Sequence, residues 1–240
     1  MAGPVAPPLV VVISVDQFSA NLFAQYRAQA RGGLRRAQQG AVFPLAYQGH
    51  ATTETCPGHS TILTGRYPAH TGIVANDWIG PRGGRPNQLV YCVEDEAEPG
   101  SDATRYRVSA THLRGPALGD LLKQARPGAR VFSIAGKDRA AVLLGGHSAD
   151  QVWWWAGDRF ASYPGRPEPA AVGTANRRMA SDLQQAEPGL PATEACAALA
   201  APVALPGGKV VGAGRFARPA GDARAFRASP ALDAATLDLA

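Results

Sequence analysis

The sequence has no apolar run near the roughly 20 residues that span a bilayer as a helix; its longest is LVVVISV, over residues 9–15. It has no compact basic cluster. The net charge of +5 comes mostly from arginines scattered through residues 26–36, 105–139 and 215–227, without the interleaved aromatics of a nucleic-acid surface. A small anionic substrate suits that charge as well as ordinary solvated arginines do. Cysteine is scarce: Cys56, Cys92 and Cys196 form no Cys-x-x-Cys, and Cys92 with Cys196 is a candidate pair in an oxidising compartment. Charged residues are 18% of the chain against 45% hydrophobic, which suits a folded globule rather than a disordered chain. The opening MAGPVAPP has neither a basic nor an apolar leader region, so no signal peptide is read in this chain. Histidine is absent after His147.

What is present reads as α/β. The β-branched run 9–15 has the composition of a strand buried on both faces of a parallel sheet, and it ends in Asp16, where α/β sheets place their ligand crevice. Residues 19–38 read as a helix, AVFPLAYQ as a short strand, and residues 80–108 as a polar, Gly/Pro-rich excursion. GPALGDLLKQARPG reads as a helix with apolar Leu118, Leu121 and Leu122; RVFSIAG is a buried strand, RAAVLLGG a short helix or strand, and QVWWWA a strand. Strands separated by helices predict a mainly parallel, doubly wound sheet. Within Trp153-Trp154-Trp155, strand alternation puts at least one ring in the core. Residues 186–228 read as a loop-rich insertion. Ser229-Pro230 starts a helix that has no stop signal before Ala240.

The stretch HATTETCPGHSTILTG, residues 50–65, carries the chemistry. Pro57 belongs in the first turn of a helix that Gly65 ends, which puts Thr55 at its start. A hydroxyl becomes a nucleophile when a helix N-terminus and a metal ion favour its ionised form. Asp16 is a hard oxygen donor for that metal, Asn76 a donor to a bound oxyanion, and Lys137 with Arg139 a cationic pair for further oxygens. Taken one at a time, a threonine cap, a turn aspartate and a solvated Lys-x-Arg explain each residue without chemistry. Together they point to phosphoryl or sulfuryl transfer. Cys56-Pro-Gly-His59 lacks the second pair of ligands that a zinc knuckle needs, so His59 is read as scaffold.

In register, VVVISVDQF, TETCPGHSTILTGRYPAHTGIVANDW and GKDRAAVLLGGHSAD resemble the alkaline phosphatase superfamily, in its PafA-like branch of monoesterases related to the type I phosphodiesterase/nucleotide pyrophosphatases. The resemblance runs from about residue 9 to at least residue 160. It implies zinc, two ions in the complete family site, with Asp16 and Thr55 among the ligands. It also implies Thr55 as the nucleophile that becomes phosphorylated, Asn76, Lys137 and Arg139 as contacts to phosphoryl oxygens, and a periplasmic or secreted location.

The resemblance breaks in the second half, where family members carry further Asp and His ligands. Asp182, Asp222, Asp233 and Asp238 fit no ligand pattern. The expectation is therefore the amino-terminal part of a longer enzyme: residues 9–185 from the catalytic domain, 186–228 an insertion, and 229–240 the start of a helix. The activity expected by family is hydrolysis of a small phosphate monoester. A phosphodiesterase/nucleotide pyrophosphatase is the enzymatic rival, which Lys137 and Arg139 disfavour. A sulfatase is disfavoured because its nucleophile sits in a C/S-x-P-x-R context, whereas Cys56-Pro-Gly-His59 puts the proline in the wrong place and offers no arginine. A catalytically inactive, anion-binding remnant is the rival of another class, and it suits the 240-residue polypeptide taken by itself.

Overall fold

The computed structural model describes residues 7–80, 88–101, 106–189, 202–211 and 216–240. Its centre is the unit β5 (Phe132–Ala135), α6 (Asp138–Gly145), β6 (Gln151–Trp155). β5 and β6 pair in parallel, with Ile134 opposite Trp153, and β7 (Phe160–Ala161) adds an antiparallel edge. The stretch left open as helix or strand is α6, ended by Gly146 at φ +72°. The β5-α6-β6 crossover is the α/β alternation expected from the sequence.

β6 divides the core in two. Val152 and Trp154 face one cluster, with Cys56, Cys92 and Val142; Trp153 and Trp155 face the other, with Phe160 and Met179. Successive side chains point to opposite faces of a strand, so a continuous apolar run covers both. α7 (Ala170–Leu183) and two further helices, α8 (Ala223–Arg227) and α9 (Pro230–Leu239), cover the Trp153 side. Ser229 caps α9 by accepting from the N–H of Ala231.

α3 (Thr55–Thr64) packs on α6 and ends at Gly65, φ +66°. Beyond it lie the single turn α4 (Pro68–Thr71) and the hairpin of β1 (Asp77–Gly80) and β2 (Gln88–Tyr91), followed by the paired β3 (Glu94–Asp95) and β4 (Arg107–Val108). The polar excursion is thus no outlying loop: Val90, Tyr91, Cys92 and Val93 are buried.

Several expectations fail. Residues 9–15 form no strand, and Val11, Ile13 and Val15 are exposed. A strand needs a neighbour for its backbone groups, and no described strand runs beside this segment. The helix expected over 19–38 is broken into α1 (Ala20–Tyr26), a 3-10 turn (Arg27–Gln29) and α2 (Gly32–Ala37), because Ala30 and Arg31 turn extended before Gly32, at φ +55°, starts the second helix. AVFPLAYQ is not a strand. α5 (Leu118–Ala125) forms as expected, but Leu118 and Leu121 are exposed. Cys92 bonds Cys56 instead of Cys196, which lies outside the described residues. In 186–228, the described parts hold the pair β8 (Val203–Ala204) and β9 (Val210–Val211), as well as α8. No described helix is long and apolar enough to cross a membrane.

Candidate active site

Thr55 is the first residue of α3 and is buried. Glu54 occupies the N-cap position but makes no side-chain cap bond. The cap arrives from 20 residues along the chain: Oδ1 of Asn76 accepts from the N–H of Cys56 at 2.9 Å. Glu54 reciprocates, its Oε2 accepting from the N–H of Asn76 at 2.6 Å. Since the oxygen of the Asn76 amide is used on the helix, its Nδ2 is left as a donor.

Asp16 lies in the turn after the extended segment, where Gln17 at φ +60° redirects the chain into α1. Thr55 Oγ1 donates to Oδ2 of Asp16 at 3.2 Å, and Lys137 Nζ approaches the same oxygen at 3.7 Å. Lys137 is the N-cap residue of α6, placed there by the end of β5. Residues 16, 55 and 137 therefore meet at one point although far apart in sequence. The Asp16 and Lys137 side chains are partly exposed, so the point opens to solvent.

Arg139 reaches this neighbourhood from the other side. Its Nη1 donates to the hydroxyl of Tyr91 at 3.2 Å, and Tyr91 pairs with Asp77, the residue after Asn76, in the β1–β2 ladder. Partial burial raises the Asp77 carboxyl; the Arg139 charge lowers it and Glu54 raises it further. Burial also pushes the Tyr91 phenol well above its usual range, helped by the neighbouring Asp138. Among the described residues no hydrogen bond or ion pair joins Arg139 to Thr55, Asn76 or Lys137.

The Cys56–Cys92 disulfide, buried at both ends, ties the start of α3 to the end of β2, and the N–H of Cys92 donates to the carbonyl of Asn76. His59 is buried, with Nδ1 2.7 Å from the Thr55 carbonyl, as expected of scaffold. Sequence reasoning missed Glu54, Tyr91 and Asp138. Glu54 and Asp138 stand inside the quoted segments beside Thr55 and Arg139 without a role of their own there, and Tyr91 is brought in by the β1–β2 register.

Asp16 and Thr55 offer two oxygen donors. Among the described residues no three His, Cys, Asp or Glu side chains gather closely enough to hold an ion. Zinc takes about four ligands, so these residues do not by themselves fit it.

A family model for type I phosphodiesterase / nucleotide pyrophosphatase matches residues 10–205. Alkaline phosphatase PhoK of Sphingomonas sp is 50% identical over 236 residues, covering 98% of this chain and 42% of PhoK. Alkaline phosphatase PhoD of Zymomonas mobilis subsp. mobilis is 43% identical, covering 97% of this chain and 40% of PhoD. The chain thus spans about two fifths of the length of these relatives. The crystal structure of wild-type alkaline phosphatase PafA superposes with a TM-score of 0.71 at 23% identity, over 94% of this chain and 46% of that one. A PafA variant, altered at one threonine, one asparagine, one lysine and one arginine, superposes at 0.67 with 21% identity, over 94% of this chain and 47% of that one. The fold is the α/β fold of the alkaline phosphatase type, with the sheet incomplete.

Proposed function

We propose, because this chain belongs to the type I phosphodiesterase / nucleotide pyrophosphatase family, that it carries the nucleophile half of a phosphate monoester hydrolase acting through a phosphothreonine. The observation that carries this reading is the contact of the Thr55 hydroxyl with Asp16, beside Lys137, at the start of a helix. The relatives named alkaline phosphatase support it. In the PafA variant, the altered threonine and asparagine are spaced as Thr55 and Asn76 are, and its lysine and arginine as Lys137 and Arg139 are.

In this reading Thr55 Oγ1 attacks phosphorus in line with the ester oxygen. The new P–O bond forms as the ester P–O bond breaks, the Thr55 proton passes to Asp16, and the alcohol leaves with a proton from water. Lys137, Arg139 and Nδ2 of Asn76 hold the phosphoryl oxygens. Water then attacks the phosphothreonine; the P–O bond to Thr55 breaks, Asp16 returns the proton to Oγ1, and the proton lost by the attacking water neutralises the hydroxide left by the first step, releasing phosphate. A monoester has one more charged oxygen than a diester, and two cations at the site favour it. Asp16 and Thr55 would be two of the zinc donors in this reading, and the others would have to come from outside the described residues. Residues 9–185 are then the amino-terminal part of the catalytic domain, 186–228 an insertion and 229–240 the start of a helix. The substrate is a small phosphate ester and no nucleic acid is needed. The buried disulfide suits a periplasmic or secreted location.

A second reading is favoured by the short donor set: by itself this chain binds an anion without turnover. Hydrolysis of p-nitrophenyl phosphate and of bis(p-nitrophenyl) phosphate, with zinc supplied, separates the readings. Faster monoester turnover that Thr55→Ala abolishes supports the phosphatase. Faster diester turnover supports the diesterase. Phosphate binding without turnover supports the remnant.

A further inference from the structure

The Tyr91 hydroxyl stands between the first two residues of α6. It donates to Oδ1 of Asp138 at 2.7 Å and accepts from Nη1 of Arg139 at 3.2 Å. The same Asp138 oxygen accepts the backbone N–H of Arg139 at 2.7 Å, which closes a small ring of hydrogen bonds. The Arg139 guanidinium lies 5.9 Å from the centroid of the Tyr91 ring, and that ring packs against Tyr106 at 4.7 Å. Tyr91 is buried, and Cys92 beside it is bonded to Cys56.

Among the described residues the guanidinium makes no other hydrogen bond, although the Asp138 and Asp77 carboxylates act on its charge from nearby. Arg139 forms no ion pair among the described residues, and its Nε is buried without a hydrogen-bond partner there. A buried donor with no acceptor is costly, so an arginine held this way calls for an acceptor from elsewhere. The identity of its hydrogen-bond partner among the described residues, Tyr91, matters. A carboxylate at the position of the Tyr91 hydroxyl would cancel the charge of Arg139; a phenol orients the side chain and leaves the charge available. Asp138 keeps the phenol in that role, because a hydroxyl donating to the carboxylate turns its lone pairs to the arginine.

We infer that Tyr91 is the positioning residue for Arg139: its neutral hydroxyl, oriented by Asp138, holds the guanidinium by Nη1 and leaves the Nε edge free for a phosphoryl oxygen. This rests on the reading that Arg139 contacts the phosphoryl group.

The test is titration of the 240-residue chain with inorganic phosphate, by calorimetry and by the Arg139 Nε resonance in nitrogen–proton spectra. Four forms are compared: the parent, Tyr91→Phe, Arg139→Ala and the double variant. Phenylalanine keeps the ring and its packing on Tyr106, and a thermal melt checks the fold. Tyr91→Phe should weaken phosphate binding about tenfold, the size of one lost hydrogen bond to a charged group. It should also abolish the phosphate-dependent shift of the Arg139 resonance and cost nothing further in the Arg139→Ala background. Should Tyr91→Phe fail to fold, Asp138→Asn replaces it, with the same dependence on Arg139 expected. If Arg139→Ala weakens binding while Tyr91→Phe does not, or if the two losses simply add, the positioning role is overturned and the functional reading stands. If Arg139→Ala changes nothing, both fall.

Discussion

The side-chain oxygen of Asn76 caps the helix that carries Thr55, accepting the N–H of Cys56 at 2.9 Å. One amide thereby fixes the proposed nucleophile through the backbone and keeps its Nδ2 for an oxyanion. The two tasks are separable by mutation.

Asn76→Ala should lower stability by about 1 kcal/mol, the usual loss for a helix cap, and weaken phosphate binding as well. Asn76→Asp keeps an acceptor for the Cys56 N–H and places a negative charge at the helix start, so denaturant unfolding should show little loss. It removes the Nδ2 donor and repels an anion, so phosphate binding should vanish. Equal stability losses for the two variants would contradict the capping role.

The disulfide closes a loop of 36 residues between Cys56 and Cys92. On loop-closure entropy, reduction or the double change Cys56→Ser with Cys92→Ser should cost about 3–4 kcal/mol. Urea unfolding with and without reductant measures it. A midpoint unaffected by reductant would mean that the bond constrains little.

Asp120 predicts an acid limb. Burial pushes its carboxyl up, but the Ser148 hydroxyl and the backbone N–H groups of Ala117, His147 and Ser148 outweigh that, and the net shift is downward. Ionised Asp120 therefore stabilises the fold. Its contribution is complete above the ordinary aspartate value of about 3.9 and is lost as pH falls through the depressed folded value. Melting temperatures from about pH 6 to pH 2 should fall less steeply in Asp120→Asn than in the parent.

How much of this was legible in the sequence depended on whether a signal was local. Pro57 marks the first turn of a helix and Gly65 its end, and α3 forms as read, from Thr55 to Thr64. Ser229-Pro230 likewise opens α9, and the alternation through QVWWW places Trp153 and Trp155 on one side of the sheet and Trp154 on the other. The run 9–15 has a strand's composition, but a strand also needs a partner, which composition cannot supply. At the site, Thr55, Asp16 and Lys137 do meet, while their roles stay with the proposal. Tyr91 and the Cys56–Cys92 bond were illegible because the β1–β2 register brings them into place, and three cysteines without spacing leave pairing undetermined.

The most direct test of the account is to trap the intermediate. The chain is mixed with p-nitrophenyl phosphate and zinc, quenched in acid, and the peptide containing Thr55 is analysed by mass. The account predicts one added phosphoryl group on Thr55, absent from Thr55→Ala together with all turnover. Turnover that survives Thr55→Ala, or a phosphoryl group found on any other side chain, would contradict it.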